Sequence, residues 1–155
     1  MRKKPELSLR ARALQHLARR EYSRAELRGK LLPRVQEGED LDALLNDLTL
    51  CGWLSDARAA TQLLNARRSR FGTQRITHEL RQKGIAETLI SEALPQLKET
   101  ELETAREVWQ KKFGVLPQDA KDKARQARFL QSRGFALEVI FQVLRQTNFD
   151  EDEPF

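Results

Sequence analysis

The sequence predicts an all-α protein, built as an elongated tandem array of three three-helix repeats. Three observations support this prediction: apolar residues recur at helical spacing almost from end to end, a motif returns after 50 residues, and basic and acidic blocks alternate. Charged residues make up 33% of the 155 residues, against only 7 Gly and 5 Pro. This composition is typical of long solvated helices and not of a turn-rich β fold.

The repeated motif is clearest around two glycines. Leucine, cation, glycine and apolar residue follow one another in Leu80-Arg81-Gln82-Lys83-Gly84-Ile85 and again in Leu130-Gln131-Ser132-Arg133-Gly134-Phe135. A glycine in this place is typical of a left-handed cap that ends one helix before the next begins. The first third has a weaker copy, Leu27-Arg28-Gly29-Lys30-Leu31, in which no glycine follows the cation Lys30. Such divergence is expected of a terminal repeat.

The first repeat is predicted to span residues 1–54, with helices at 8–20, 23–32 and 40–51. Ser23 followed by Glu26 three residues later forms a capping box that would start the second of these helices.

The second repeat, 55–98, begins with a helix capped by Ser55 or Asp56, continues with a helix capped by Thr73, and ends with a helix from Ala86 to Leu97. The third repeat, 99–148, should contain helices at 99–112, 118–132 and 136–147. Residues 149–155 form an acidic tail that we expect to be disordered.

Charge is distributed in six blocks. The net charge is +5 overall, but it alternates along the chain as +8 (1–36), −5 (37–65), +5 (66–85), −4 (86–104), +5 (105–134) and −4 (135–155). Each repeat is therefore basic around its middle helix and acidic around its third. The basic balance indicates an anionic partner, and the alternation suggests that the two charges serve different surfaces.

Catalytic chemistry finds little support. Two separated histidines and one cysteine give no metal-ligand spacing, and no glycine-rich phosphate loop is present, so we predict a non-enzymatic protein without metal or cofactor. No apolar run is long enough to cross a membrane, and the single cysteine, Cys51, fits a reducing cytoplasm. Cys51, Trp53 and Trp109 are all expected in the core.

The basic residues of the middle helices predict a binding face. Arginine predominates, and its planar fork suits phosphate or carboxylate. Tyr22, Phe71 and Phe113 end the first helices, where core packing is expected over base stacking, so contacts would be mainly to phosphate. The candidate residues are Arg24, Arg28, Lys30, Arg67, Arg68, Arg70, Arg75, Arg81, Lys83, Arg125, Arg128 and Arg133.

Four stretches resemble the RecX family of regulatory proteins. They are Tyr22 to Leu31, Gly52 to Arg58, Gly72 to Ile85, and Arg128 to Phe135, in the family's order. Ala59 departs from the pattern, since the family commonly has an aromatic residue there. The resemblance implies a monomeric, tandem three-helix-repeat protein that binds the RecA recombinase filament on single-stranded DNA. It also implies that such binding limits filament growth or promotes disassembly, and so inhibits ATPase, strand-exchange and co-protease activity.

Two other functions stay open on the residues alone. A sequence-nonspecific architectural protein that binds nucleic acid without RecA would carry the same basic faces. A protein-interaction scaffold would also fit, but its function would not depend on the basic helices. Within the resemblance, one hypothesis is that the basic side faces DNA and the acidic side faces recombinase.

Overall fold

The computed structural model describes residues 6–152, with side chains described up to Arg145. This part of the chain is helical and contains no strand, which confirms the predicted all-α class. Its α-helices are α1 (Leu9–Arg19), α2 (Arg24–Leu31), α3 (Leu41–Leu50), α4 (Asp56–Arg67), α5 (Thr73–Gln82), α6 (Glu87–Lys112), α7 (Ala120–Ser132) and α8 (Leu137–Asp152), and a 3-10 turn at Leu32–Arg34 follows α2. Of the acidic tail expected to be disordered, residues 149–152 continue α8, and residues 153–155 lie outside the described residues.

Local capping fixes several helix starts as predicted. Ser23 Oγ accepts from the Glu26 N–H at 3.1 Å, and the Glu26 carboxylate accepts from the Ser23 N–H at 3.1 Å, completing the capping box of α2. Of the two candidates at α4, it is Ser55 that caps, accepting from the Arg58 N–H at 3.2 Å. These caps bond N–H groups that have no partner within the helix itself.

One predicted break between helices is wrong. Helices were expected at 86–97 and 99–112, but α6 runs without interruption from Glu87 to Lys112. Pro95 lies inside it and removes one backbone donor, yet no glycine or turn residue follows to end the helix. The expected boundary at 98/99 therefore falls within a helix, and the division of the chain into three repeats remains a proposal.

The packing supports that division, because the buried residues form three clusters in chain order. The first spans Leu9 to Leu54, the second Ala60 to Leu97 and the third Ala105 to Leu144. Helix α6 contributes Ile90 and Leu97 to the second cluster and Ala105 and Trp109 to the third. A single continuous helix thus links two hydrophobic cores.

Backbone contacts join neighbouring repeats at equivalent places. Gly84 and Gly134 have φ of +74° and +86°, which confirms the predicted left-handed caps. A Cβ on Gly84 would lie 2.6 Å from the Ala25 Cβ, and a Cβ on Gly134 would overlap Arg75, 50 residues further along than Ala25. Each glycine therefore also allows the close approach of the preceding repeat's middle helix.

Hydrogen bonds at the two joints follow the same pattern. The Lys83 carbonyl accepts from Ser23 Oγ at 2.5 Å, and the Arg133 carbonyl accepts from the Gly72 N–H at 2.8 Å. In the second joint the Gly134 carbonyl also accepts from the Gln74 N–H at 3.1 Å. The end of each middle helix is thus bonded to the start of the previous one.

A buried carboxylate replaces the cap predicted at Thr73. Gly72 is the N-cap of α5, and the Thr73 hydroxyl donates to Glu101 at 3.1 Å instead of capping its own helix. Glu101, only 6% exposed, also accepts from the Ala136 N–H at 3.1 Å, just before α8. The negative charge therefore lies at the N-termini of two helices, where the helix dipoles favour it.

Two of the three side chains expected in the core lie at the surface. Cys51 is exposed at the C-terminal end of α3, and Trp53 is 56% exposed in the following turn. Both come after α3 has ended, so its periodicity no longer places them on the buried face. Trp109 is buried as expected, and its indole N–H donates to Gln126 Oε1 at 2.8 Å.

Candidate nucleic-acid interface

Four arginines surround the ring of Phe71, where the second and third repeats meet. The Cζ atom of Arg75 lies 4.2 Å from the ring centroid. Those of Arg133, Arg70 and Arg67 lie at 5.5, 5.7 and 6.0 Å. All are within the range at which a guanidinium is attracted to an aromatic face. Arg133 comes from the end of α7, so residues far apart in the sequence share one ring.

The arrangement continues into the third repeat. Arg133 lies 5.2 Å from the centroid of Phe129, which also has the Lys112 ammonium at 5.3 Å. Phe129 meets Phe113 edge to face at 5.4 Å, and Arg125 lies 5.2 Å from the Phe113 ring. We call this set the cation–aromatic strip: Arg67, Arg70, Phe71, Arg75, Lys112, Phe113, Arg125, Phe129 and Arg133.

The rings of the strip link the cations to the hydrophobic cores. Phe71 packs on the second core, and Phe113 and Phe129 pack on the third, each half-buried. This agrees with the predicted core role of Phe71 and Phe113 and adds a second one. Because each ring holds guanidinium groups near its surface, those groups lose less freedom when they bind an anion.

Intramolecular ion pairs separate the predicted cations into two sets. Arg67 and Arg75 share Glu79, with N–O distances of 3.2 and 3.7 Å. The other paired candidates are Arg28 with Asp42, Arg81 with Glu87, Lys83 with Glu26, and Arg125 with Asp122. Across the part of the chain that the structure describes, the side chains of six candidates form no ion pair: Arg24, Lys30, Arg68, Arg70, Arg128 and Arg133.

The ion pairs lower the pKa values of three of the carboxylates that form them. Hydrogen bonds from Arg81 hold the pKa of Glu87 below its ordinary value, and a hydrogen bond from Arg125 does the same for the pKa of Asp122. Burial opposes ionisation of Glu26, but the Ser23 N–H, Arg20 and Lys83 outweigh it and lower its pKa. The charge of these cations is therefore partly balanced by carboxylates of the same chain.

The first repeat lies in the most basic part of the sequence, and it too has a cation over an aromatic ring and several positive charges close together. Arg20 stands over the Tyr22 ring at 3.7 Å. Burial, followed by the positive charges of Lys30, Arg19 and Arg20, lowers the pKa of His16 from its ordinary 6.5. The acidic α3 is not separate from this surface, because Asp42 and Asp47 pair with Arg28 and Arg10.

Phe129 and Lys112 were not among the binding residues predicted from the sequence, and Phe71 was predicted to have a core role alone. A local signal was present for part of the strip, since Arg67, Phe71 and Arg75 are spaced by four, as are Phe129 and Arg133. Nothing in the sequence could show that Arg133 returns to Phe71. That contact depends on the glycine joint between the repeats.

Other kinds of site find no support in the described residues. Across residues 6–145, whose side chains the structure describes, no group of three or more His, Cys, Asp or Glu side chains is arranged to hold a metal ion. No helix in that range is long and apolar enough to cross a membrane.

The fold and the strip together define a helical-repeat protein with a cation-rich surface at a joint between repeats. Residues 55–94 match the family model described as "RecX, second three-helix domain", and residues 99–144 match "RecX, third three-helix domain". The chain belongs to the RecX family of regulatory proteins.

Relatives and solved structures agree. The chain is 47% identical to regulatory protein RecX of Leptothrix cholodnii, over 96% of this chain and 95% of the relative. It is also 47% identical to the Chromobacterium violaceum protein of the same name, over 88% and 89%. The crystal structure of RecX from Lactobacillus salivarius shares the fold with a TM-score of 0.77 at 16% identity, covering 91% of this chain and 95% of that one.

Proposed function

We propose that the protein is a negative modulator of the RecA recombinase. As a cytoplasmic, non-enzymatic monomer it would bind the RecA–single-stranded DNA filament and limit its extension or promote its disassembly. ATPase, strand-exchange and co-protease activity would be inhibited as a result. The observation that carries this proposal is the cation–aromatic strip at a fixed joint, in a member of a family of regulatory proteins.

The unpaired cations are the best candidates for the DNA contacts. Arg70 and Arg133 belong to the strip and have no carboxylate partner among the described residues, so a phosphate would not compete with an internal ion pair. Arg81 is already engaged by both oxygens of Glu87, at 2.7 and 3.2 Å. We therefore expect Arg70 and Arg133 to matter more for DNA binding than Arg81.

The test is a titration of the protein into RecA that is hydrolysing ATP on single-stranded DNA. Inhibition at amounts well below one protein per RecA supports filament blocking. Inhibition that appears only when the protein saturates the DNA indicates an architectural DNA-binding protein that competes for the strand. No effect on hydrolysis indicates a protein-interaction scaffold.

Paired variants sharpen the test. The Arg70→Gln/Arg133→Gln protein should inhibit less, and its salt slope on single-stranded DNA should fall by roughly 0.7 for each phosphate that the variant no longer binds. The matched control Arg19→Gln/Arg106→Gln removes the same charge from exposed positions outside the strip and should inhibit normally. Equal inhibition by both variants would remove the strip from the interface.

A further inference from the structure

An open groove of about 790 Å³ crosses the exposed face of α5. Five of its eleven lining residues belong to α5, while Glu26 comes from α2 and Gln131 and Ser132 come from α7. The groove thus touches all three predicted repeats, beside the cation–aromatic strip.

Three neutral polar side chains line this groove in a row. Gln74, His78 and Gln82 are spaced by four, so they lie on one face of α5, and all three are exposed. Within the described residues, none of these side chains makes a hydrogen bond to another part of the chain. Their amide and imidazole groups offer both donors and acceptors to a ligand.

The charge inside the groove is nearly balanced. Its cations, Arg67, Arg75 and Lys83, are paired with Glu79 and Glu26, which also line it. The unpaired Arg70 and Arg133 are not among the lining residues. A phosphate is therefore favoured at the rim, near the unpaired arginines, and a neutral polar group is favoured inside.

The equivalent surfaces of the other two repeats differ from this one. The glycine contacts align Arg75 with Ala25, an offset of 50, so His78 corresponds to Arg28 of α2 and Arg128 of α7. Both flanking repeats thus present an arginine where the middle repeat presents a histidine between two glutamines. At this one position the middle repeat offers an imidazole where both flanking repeats offer a guanidinium.

The spacing of the row suits an unstacked strand. Residues four apart on a helix are separated by about 6 Å along its axis. Stacked bases in B-form DNA are only about 3.4 Å apart along a strand. Glutamine side chains form paired hydrogen bonds with base edges, and unstacked single strands expose those edges.

We propose that this groove receives the bases of single-stranded DNA, with Gln74, His78 and Gln82 contacting base edges while the unpaired arginines hold the phosphates. This inference rests on the proposed function for the presence of the strand. It adds a contact that distinguishes a strand with bases from its bare sugar–phosphate chain.

The experiment compares two fluorescent oligonucleotides of equal length, oligo-dA and an abasic strand, by anisotropy at one salt concentration. The natural protein should bind oligo-dA at least about fivefold more tightly. In Gln74→Ala/His78→Ala/Gln82→Ala that preference should disappear, with abasic affinity unchanged. The control Gln15→Ala/Gln96→Ala/Gln142→Ala alters exposed glutamines on α1, α6 and α8 and should keep the preference. Circular dichroism of both variants verifies the fold.

Two results would overturn the inference: equal binding of both strands by the natural protein, or equal loss on both strands in the groove variant. The recombinase assay separates this failure from failure of the proposed function. A protein that inhibits RecA but does not distinguish the strands refutes the groove contact alone. A protein that prefers oligo-dA but leaves RecA unaffected refutes the filament role and keeps the groove contact. If the groove variant cannot be folded, Gln82→Ala alone must lower the preference at least about twofold, and an unchanged preference refutes the contact.

Discussion

Glu101 accepts hydrogen bonds from both the hydroxyl and the backbone N–H of Thr73, 28 residues away, at 3.1 and 3.4 Å. The same carboxylate accepts from the Ala136 N–H, so one buried anion serves α5 and α8 together. No side-chain cap from within α5 does this, because its N-cap is a glycine.

Removing this acceptor should be among the more damaging single substitutions. Glu101→Ala leaves buried donors of Thr73 and Ala136 without their partner and should lower the free energy of unfolding by about 3 kcal/mol. Glu101→Gln keeps one acceptor oxygen but loses the charge, so a smaller loss of about 1–2 kcal/mol is expected. Urea unfolding measures both, with exposed Glu103→Gln as the control. Equal stability of Glu101→Ala and the control would contradict the capping role.

The joint between the second and third repeats should be equally sensitive at Gly134. In Gly134→Ala the new methyl overlaps Arg75, and its backbone has a positive φ. Gly52→Ala has nearly the same φ, +80°, but nothing lies within 4 Å of the added Cβ. Backbone strain of about 1 kcal/mol should appear in both variants, and a further loss of about 1–3 kcal/mol only in Gly134→Ala. If thermal unfolding shows the same loss in both, the joint tolerates the methyl.

Gly29 should behave in the opposite way. It lies in the interior of α2, it is exposed, its φ is not positive, and a Cβ there would meet nothing within 4 Å. Gly29→Ala should therefore raise the free energy of unfolding by about 0.5–1 kcal/mol, mainly by restricting the unfolded chain. Urea unfolding measures this gain, and a stability at or below that of the natural protein would contradict it.

Acid should destabilise the protein through His16. Its pKa is lowered in the folded state, so above the unfolded value of 6.5 the group is neutral in both states and its full contribution is present. As the pH falls through that value the unfolded chain takes up the proton first, and the free energy of unfolding decreases. Between about pH 7.5 and about pH 5.5, His16→Gln should lose less stability than the natural protein. An equal loss would remove His16 as the cause.

The features that were predicted correctly from the sequence are those whose determining interactions are local. The Ser23 capping box and the glycine caps at Gly84 and Gly134 depend on residues a few positions apart, and all three are as predicted. The prediction was wrong at α6, where a break between two repeats was expected at 98/99 and the structure has one continuous helix from Glu87 to Lys112.

Only part of the candidate interface could be predicted from the sequence. Clusters of arginine are visible in the sequence, but which of them are neutralised depends on carboxylates brought close by folding. Arg28 and Asp42 are 14 residues apart, and Arg133 and Phe71 lie in neighbouring predicted repeats. Position along the chain therefore predicted the basic face and could not predict its unpaired members.

The joints between repeats allow the exposed surface to change by substitution while the spacing of the repeats is kept. Both are closed by main-chain carbonyls and by glycines that have no side chain. The distance from one middle helix to the next is thus set by backbone groups and by the buried Ser23 hydroxyl, and not by exposed side chains. At exposed positions such as Arg28, His78 and Arg128, a charged side chain can be replaced by an uncharged polar one, or the reverse, without altering that distance. The array can therefore acquire new preferences for its ligand while its pitch stays constant.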